Sequence, residues 1–67
     1  MTVFVNDQPR VLAAGAALGD LLRELGLAER KGVAIAIDDE VVPRSAWPSR
    51  TLADAERILV IRATQGG

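Results

Sequence analysis

The end of the chain is the part of the sequence best suited to chemistry. Gly66 and Gly67 close the chain shortly after residues 58–62, which are typical of a well-ordered strand. ATP can activate a terminal carboxylate as an acyl-adenylate, which a nucleophile then attacks, and this requires no catalytic side chain on the carrier. Glycine permits close approach of its backbone to another molecule because it lacks a Cβ. We therefore expect Gly67 to be the attachment point. The alternative is an ordinary frayed terminus without a chemical role.

The predicted arm that would carry this carboxylate is short and lacks a bulky side chain. Together with Ala63 it would reach about 17 Å when extended. We therefore divide the chain into a folded domain, residues 1–63, and a flexible C-terminal tail, residues 64–67. The tail residues that precede Gly67 are Thr64, Gln65 and Gly66.

The composition excludes most side-chain catalysis. The 67 residues include no Cys, His or Tyr, so zinc sites built from Cys and His, thiol nucleophiles, imidazole bases and disulfides are all ruled out. The 8 basic and 9 acidic residues leave a net charge of −1, which argues against a nucleic-acid partner. We see no signal peptide and no apolar run near the roughly 20 residues of a membrane span, so we expect a cytoplasmic protein without membrane contact.

Residue patterns predict a small sheet and one helix that would position the tail. Residues 1–6 and 10–13 are predicted as a hairpin whose turn covers residues 6–9. Residues 33–37 predict a buried strand and residues 41–42 a short fourth strand, separated by the acidic turn 38–40. Residues 58–62 predict the last strand. Leu18, Leu21, Leu22 and Leu25 form one apolar stripe of a helix, which Gly26 is placed to end.

Three stretches of the sequence resemble the ThiS family of ubiquitin-like sulfur carriers. The opening Val5-Asn6-Asp7-Gln8 is similar to the first hairpin of that family. The block from Ala34 to Trp47 contains Val42-Pro43-Arg44 and resembles the central segment, and the last strand with Gly66-Gly67 resembles the end. The resemblance implies an α+β fold, the ubiquitin-like β-grasp, in which a mixed sheet of four to five strands packs on one helix.

The resemblance also implies a reaction and a set of partners. A ThiF-type, E1-like adenylating enzyme would use Mg and ATP to adenylate Gly67, a sulfur donor protein would convert the adenylate to a thiocarboxylate, and a ThiG-like thiazole synthase would take the sulfur for thiamine. The chain would bind no cofactor itself and would be a co-substrate rather than an enzyme. The chain departs from the family pattern at two places: Asp38 stands where the family often has Asn, and residues 54–56 have Ala55 in the middle where the family often has Asp-Gly-Asp.

Strand alternation predicts where a partner would bind. If Val3 and Val5 face the core, then Phe4 faces outward, and the resemblance to the β-grasp arrangement implies that Ile58 and Val60 face inward. Phe4, Leu59 and Ile61 would then form an apolar patch close to the tail. Arg62 precedes the tail and is predicted to contact an acidic partner surface, or else to be a solvated charge at the strand end. Arg44 is predicted to tie down its loop, and Trp47 to pack against the body.

Other functions remain open from the sequence. A molybdopterin-synthase small subunit would use the same tail chemistry, but that family usually carries an aromatic-Pro-Pro stretch where this chain has residues 60–65. A carrier for another sulfur pathway, a protein modifier joined to lysines through Gly67, and an interaction domain with an inert tail are the other candidates.

Overall fold

The computed structural model describes residues 1–63, and the predicted tail lies outside the described residues. The described part contains five strands, one α-helix and a short 3₁₀ turn. Their bounds are β1 Thr2–Val5, β2 Gln8–Val11, α1 Leu18–Glu24, β3 Val33–Ile37, β4 Glu40–Val42, the 3₁₀ turn Arg44–Ala46 and β5 Arg57–Arg62.

The strands form a single mixed sheet in the order β2-β1-β5-β3-β4. The central strand β5 is parallel to β1, and the other neighbouring strands are antiparallel. Helix α1 covers one face. This arrangement confirms the predicted small mixed sheet on one helix, and it places the C-terminal strand between β1 and β3 in the middle of the sheet.

Both hairpins turn more tightly than the sequence predicts. Each turn contains two residues with a left-handed backbone: Asn6, Asp7, Asp38 and Asp39 have φ between 48° and 71°. Two-residue turns of this kind match the twist of the strands, and Asn and Asp tolerate positive φ. The second strand therefore covers residues 8–11 instead of the predicted 10–13. Pro9 is accommodated within it because β2 is an edge strand.

The helix buries the predicted leucine stripe. Leu18, Leu21 and Leu22 are fully buried, and Leu25 is half-buried. At the C-terminal end Gly26 takes a φ of 73°, and the Leu27 N–H donates to the Leu22 carbonyl. This is the glycine-terminated cap that the sequence predicts. Within residues 1–63, no helix is long and apolar enough to cross a membrane.

The first turn of α1 is capped from a distant part of the chain. The Leu18 N–H donates to the Arg50 carbonyl at 2.7 Å, and the Gly19 N–H donates to the Trp47 carbonyl at 2.8 Å. Asp20 also accepts the Ala17 N–H at 3.1 Å. These bonds satisfy amide groups that a helix leaves free at its start, although no local capping residue precedes it.

The turn before β5 is held by side chains on both sides. Arg50 donates to Glu56 at 2.8 Å, and this hydrogen bond raises the pKa of Arg50 above its ordinary value. Glu56 also accepts the Ala53 N–H at 2.7 Å. Ala55 has a φ of 67°, so this turn has the left-handed residue for which glycine is usually used.

The core lies between α1 and the inner face of the sheet. Ile35 is fully buried there, as the strand alternation predicts, and so is Ile58, as the resemblance implies; Trp47 is only 4% exposed. The other buried members of the core are Val3, Leu12, Leu18, Leu21, Leu22, Leu27, Ile37 and Leu52.

Candidate functional site

The candidate site is built around the end of β5, residues 60–63, which we call the tail root. These residues immediately precede the predicted tail. Along its β3 side, β5 pairs from Ile58, opposite Ile37, up to Arg62, opposite Val33. The Ala63 N–H then donates to the Gly32 carbonyl at 2.6 Å, so the pairing continues one residue beyond the strand.

On the other side of β5, the side chain of Asn6 extends the sheet. Strand β1 ends at Val5, and the Asn6 N–H donates to the Ile58 carbonyl at 2.9 Å. The Asn6 Oδ1 atom accepts the Val60 N–H at 2.8 Å, and its Nδ2 atom donates to the Val60 carbonyl at 3.4 Å. The carboxamide therefore supplies the acceptor and the donor that the backbone of a longer β1 would offer to Val60 in a parallel ladder.

The loop that contains Gly32 is itself anchored by Arg44. The guanidinium donates to the Ala28 carbonyl at 3.0 Å and to the Arg30 carbonyl at 2.6 Å. It lies 4.3 Å from the centroid of the Trp47 ring, and Trp47 donates from Nε1 to the Val42 carbonyl at 3.0 Å. The predicted structural roles of Arg44 and Trp47 agree with these contacts, which connect the central sequence block to the loop beside the tail root.

The outer face of the sheet, which α1 leaves uncovered, carries apolar side chains next to the tail root. Leu59 and Ile61 are 49% and 47% exposed, whereas Ile58 and Val60 on the other face are buried and half-buried. This is the alternation that the sequence predicts. Arg62 is exposed at the end of β5, as expected for a charge before the tail.

Phe4 does not lie beside the tail root. It is half-buried and pairs with Arg57, the first residue of β5, about 20 Å along the strand from Ala63. The prediction that Phe4 lies close to the tail is therefore wrong, because the parallel register of β1 and β5 places it at the opposite end. There it lines a cleft of about 290 Å³ together with Leu59 and acidic residues of the two hairpin turns.

The sequence prediction missed Val41, which enlarges the apolar outer face. Val41 is 71% exposed and pairs with Ala36, which in turn pairs with Leu59. The three side chains form a row across β4, β3 and β5. Alternation within residues 40–42 could have predicted the outward position of Val41, because its neighbour Val42 faces inward against the core. Asn6 and Gly32 were also missed as neighbours of the tail root.

This geometry suits a protein that presents its chain end to another molecule. The tail root is held on both sides, and an exposed apolar surface adjoins it. Within residues 1–63 there is no group of three or more acidic residues that could hold a metal ion. The described residues therefore offer a paired strand end and an exposed apolar surface beside the predicted tail.

Comparisons with known proteins agree with this interpretation. Residues 3–67 match the ThiS family. The chain is 34% identical to the sulfur carrier protein ThiS of Escherichia coli over the full length of both chains. It is 37% identical to the sulfur carrier protein ThiS of Thermus thermophilus, over 97% of this chain and 98% of that one.

A solved structure shows the same fold. The crystal structure of the thiamine biosynthesis protein ThiS from Geobacter metallireducens superposes with a TM-score of 0.82 at 26% identity, and each chain is covered completely. The fold is therefore the ubiquitin-like β-grasp that the resemblance implies.

Proposed function

Because the chain belongs to the ThiS family, we propose that it is a sulfur carrier that acts through the carboxylate of Gly67. The observation that carries the proposal is the tail root, which is held by Asn6 and Gly32 directly before a tail that ends in two glycines. Relatives that match over 97% or more of the chain carry the name of sulfur carrier. In this role the chain is a co-substrate and not an enzyme.

The proposed cycle uses only the terminal carboxylate of this chain. In the active site of a ThiF-type enzyme, a Gly67 carboxylate oxygen attacks the α-phosphorus of Mg-bound ATP, which releases pyrophosphate and forms an acyl-adenylate. The terminal sulfur of a donor protein's persulfide attacks the acyl carbon, and AMP leaves. A thiol then cleaves the resulting acyl disulfide and releases the thiocarboxylate. A ThiG-like thiazole synthase takes the sulfur, and the carboxylate returns.

We propose that partners bind the outer face beside the tail root. Leu59, Ile61 and Val41 present apolar area there that the helix does not cover. Exposed apolar patches of this kind are common at protein interfaces. Arg62 adds a positive charge at the edge of the patch and is proposed to contact an acidic partner surface. Phe4 belongs to the proposed surface only at its far end.

Intact mass spectrometry tests the proposed function directly. The chain is incubated with a ThiF-type enzyme, Mg-ATP and a sulfide source. We expect a mass gain equal to the exchange of one oxygen for sulfur, located at Gly67 by fragmentation. A variant without Gly67 should show no gain, whereas Thr64→Ser, which keeps both glycines, should react like the parent chain.

Three other results would favour a different function. If the enzyme modifies a known carrier but leaves this chain unchanged, the proposal fails. If the thiocarboxylate forms but only a molybdopterin synthase consumes it, the chain serves that pathway instead of thiamine synthesis. Adducts of higher mass in cell extracts that depend on Gly67 would indicate a protein modifier.

A further inference from the structure

The carboxamide of Asn6 acts as part of the sheet. Strand β1 leaves the sheet at its turn, while β5 continues for several residues beyond that point. The Val60 N–H would face solvent on this side without the Asn6 Oδ1 atom, to which it donates at 2.8 Å. Two hydrogen bonds from a single side chain thus extend the β1–β5 pairing toward the tail.

The opposite side of the tail root is held at a later residue. The Ala63 N–H bonds to the Gly32 carbonyl at 2.6 Å, three residues after Val60. The two contacts come from residues that adjoin the neighbouring strands, since Asn6 follows β1 and Gly32 precedes β3. Together they keep the backbone extended between Val60 and Ala63, up to the start of the predicted tail.

We propose that Asn6 is a positioning residue for the reaction at Gly67, an inference that rests on the proposed function. By holding Val60 it keeps the tail root extended up to the start of the predicted tail. Without this contact, β5 beyond Ile58 would be paired on its β3 side alone, and the backbone freedom gained there would be lost again each time a partner takes up the tail. Ordering the backbone of one residue lowers a rate constant by about tenfold.

The backbone of Asn6 allows clean variants. Its φ of 48° is tolerated by glycine and aspartate as well as by asparagine. Asn6→Gly removes the carboxamide without straining the turn. Asn6→Asp keeps an oxygen that can accept the Val60 N–H and loses only the longer bond. Asp7→Gly is the matched control, because Asp7 has a φ of 68° in the same turn and its side chain makes no hydrogen bond within the described residues.

Amide hydrogen exchange on the full chain tests whether Asn6 holds the tail root. We expect Asn6→Gly to speed exchange of the Val60 and Ala63 amides about tenfold relative to Asp7→Gly. Core amides such as that of Ile35 should change equally in the two variants. Asn6→Asp should restore most of the protection. Faster exchange of the core amides by the same factor would mean that Asn6 only stabilises the whole fold, and would overturn the proposal.

Adenylation kinetics test whether this contact matters for the reaction at Gly67. In adenylation by the ThiF-type enzyme, we expect kcat/KM for the carrier to fall about tenfold in Asn6→Gly, to stay within about twofold in Asp7→Gly, and to recover in Asn6→Asp. An unchanged kcat/KM in Asn6→Gly, despite faster exchange at the tail root, overturns the positioning role and leaves the proposed function intact. Failure of the parent chain to react overturns both, even if the exchange result shows that Asn6 holds the strand.

Discussion

Ala55 combines an ordinary side chain with a backbone conformation that favours glycine. Its φ of 67° lies in the left-handed region, and its N–H donates to the Thr2 carbonyl at 2.7 Å, so the turn is tied to β1. A left-handed conformation costs a non-glycine residue about 1–2 kcal/mol. The turn therefore holds an alanine in a conformation that glycine adopts at a lower cost.

We expect Ala55→Gly to raise the free energy of unfolding by about 0.5–1 kcal/mol. The relief of the left-handed backbone exceeds the extra entropy that glycine gives the unfolded chain. Urea denaturation measures the difference. Ala53→Gly is the control, because Ala53 lies in the same turn and is not among the residues with positive φ. A loss of stability in both variants would contradict the expectation.

At the scale of elements, the sequence predicts best what depends on local periodicity. The leucine stripe of α1, its Gly26 cap and the alternation of β3 and β5 all depend on residues close together in the chain. The start of α1 was less predictable, since its amide groups bond to carbonyls of residues 47 and 50.

The difference between local patterns and long-range contacts also explains the incorrect and missed predictions at the candidate site. The location of Phe4 depends on how β1 pairs with β5, which are separated by more than 50 residues. Asn6 resembles an ordinary turn residue until that pairing brings Val60 beside it. The β1–β5 register and the contact between Asn6 and Val60 leave no pattern in the local sequence, so only the assembled sheet shows them.

The loop between α1 and β3 supports the tail root through a glycine that has little space for a side chain. Gly32 has a φ of 75°, and a Cβ added there would lie 3.2 Å from the Ala63 Cβ. Gly26 has nearly the same φ, 73°, but nothing lies within 4 Å of its added Cβ. A comparison of alanine variants at the two positions therefore separates the effect of backbone strain from the effect of contact with the tail root.

We expect Gly26→Ala and Gly32→Ala each to lose about 1 kcal/mol of unfolding free energy from the left-handed backbone. Gly32→Ala should lose more, because the new methyl group pushes against Ala63. Chemical denaturation measures both losses, and amide exchange should show faster opening at Ala63 in Gly32→Ala alone. Equal losses with unchanged exchange would mean that the loop absorbs the methyl group without affecting the tail root.

At the scale of the whole molecule, stability and docking depend on opposite faces of the sheet. The inner face is packed against α1, while Leu59, Ile61 and Val41 lie on the uncovered outer face. Substitutions on the outer face should therefore affect partners more than folding. Val11, which is 82% exposed on the edge strand β2, provides a comparison far from the tail root.

We expect the double variant Leu59→Gln with Ile61→Thr to bind the ThiF-type enzyme about tenfold more weakly, since it loses apolar area at the proposed interface. Its unfolding free energy should change by no more than about 1 kcal/mol, as both side chains are half exposed. Val11→Thr should leave binding unchanged. Calorimetric titration measures the affinities, and an equal weakening by Val11→Thr would place the interface elsewhere.

The stacking of Arg44 on Trp47 also gives the protein an internal optical probe. Trp47 is the only tryptophan, the chain has no tyrosine, and the ring is buried in the core beneath its guanidinium partner. Its fluorescence should shift to longer wavelength when the core opens to water, and should stay constant when a non-fluorescent ligand covers the outer face. A single emission spectrum would thus distinguish a variant that has unfolded from one that has only lost its partner.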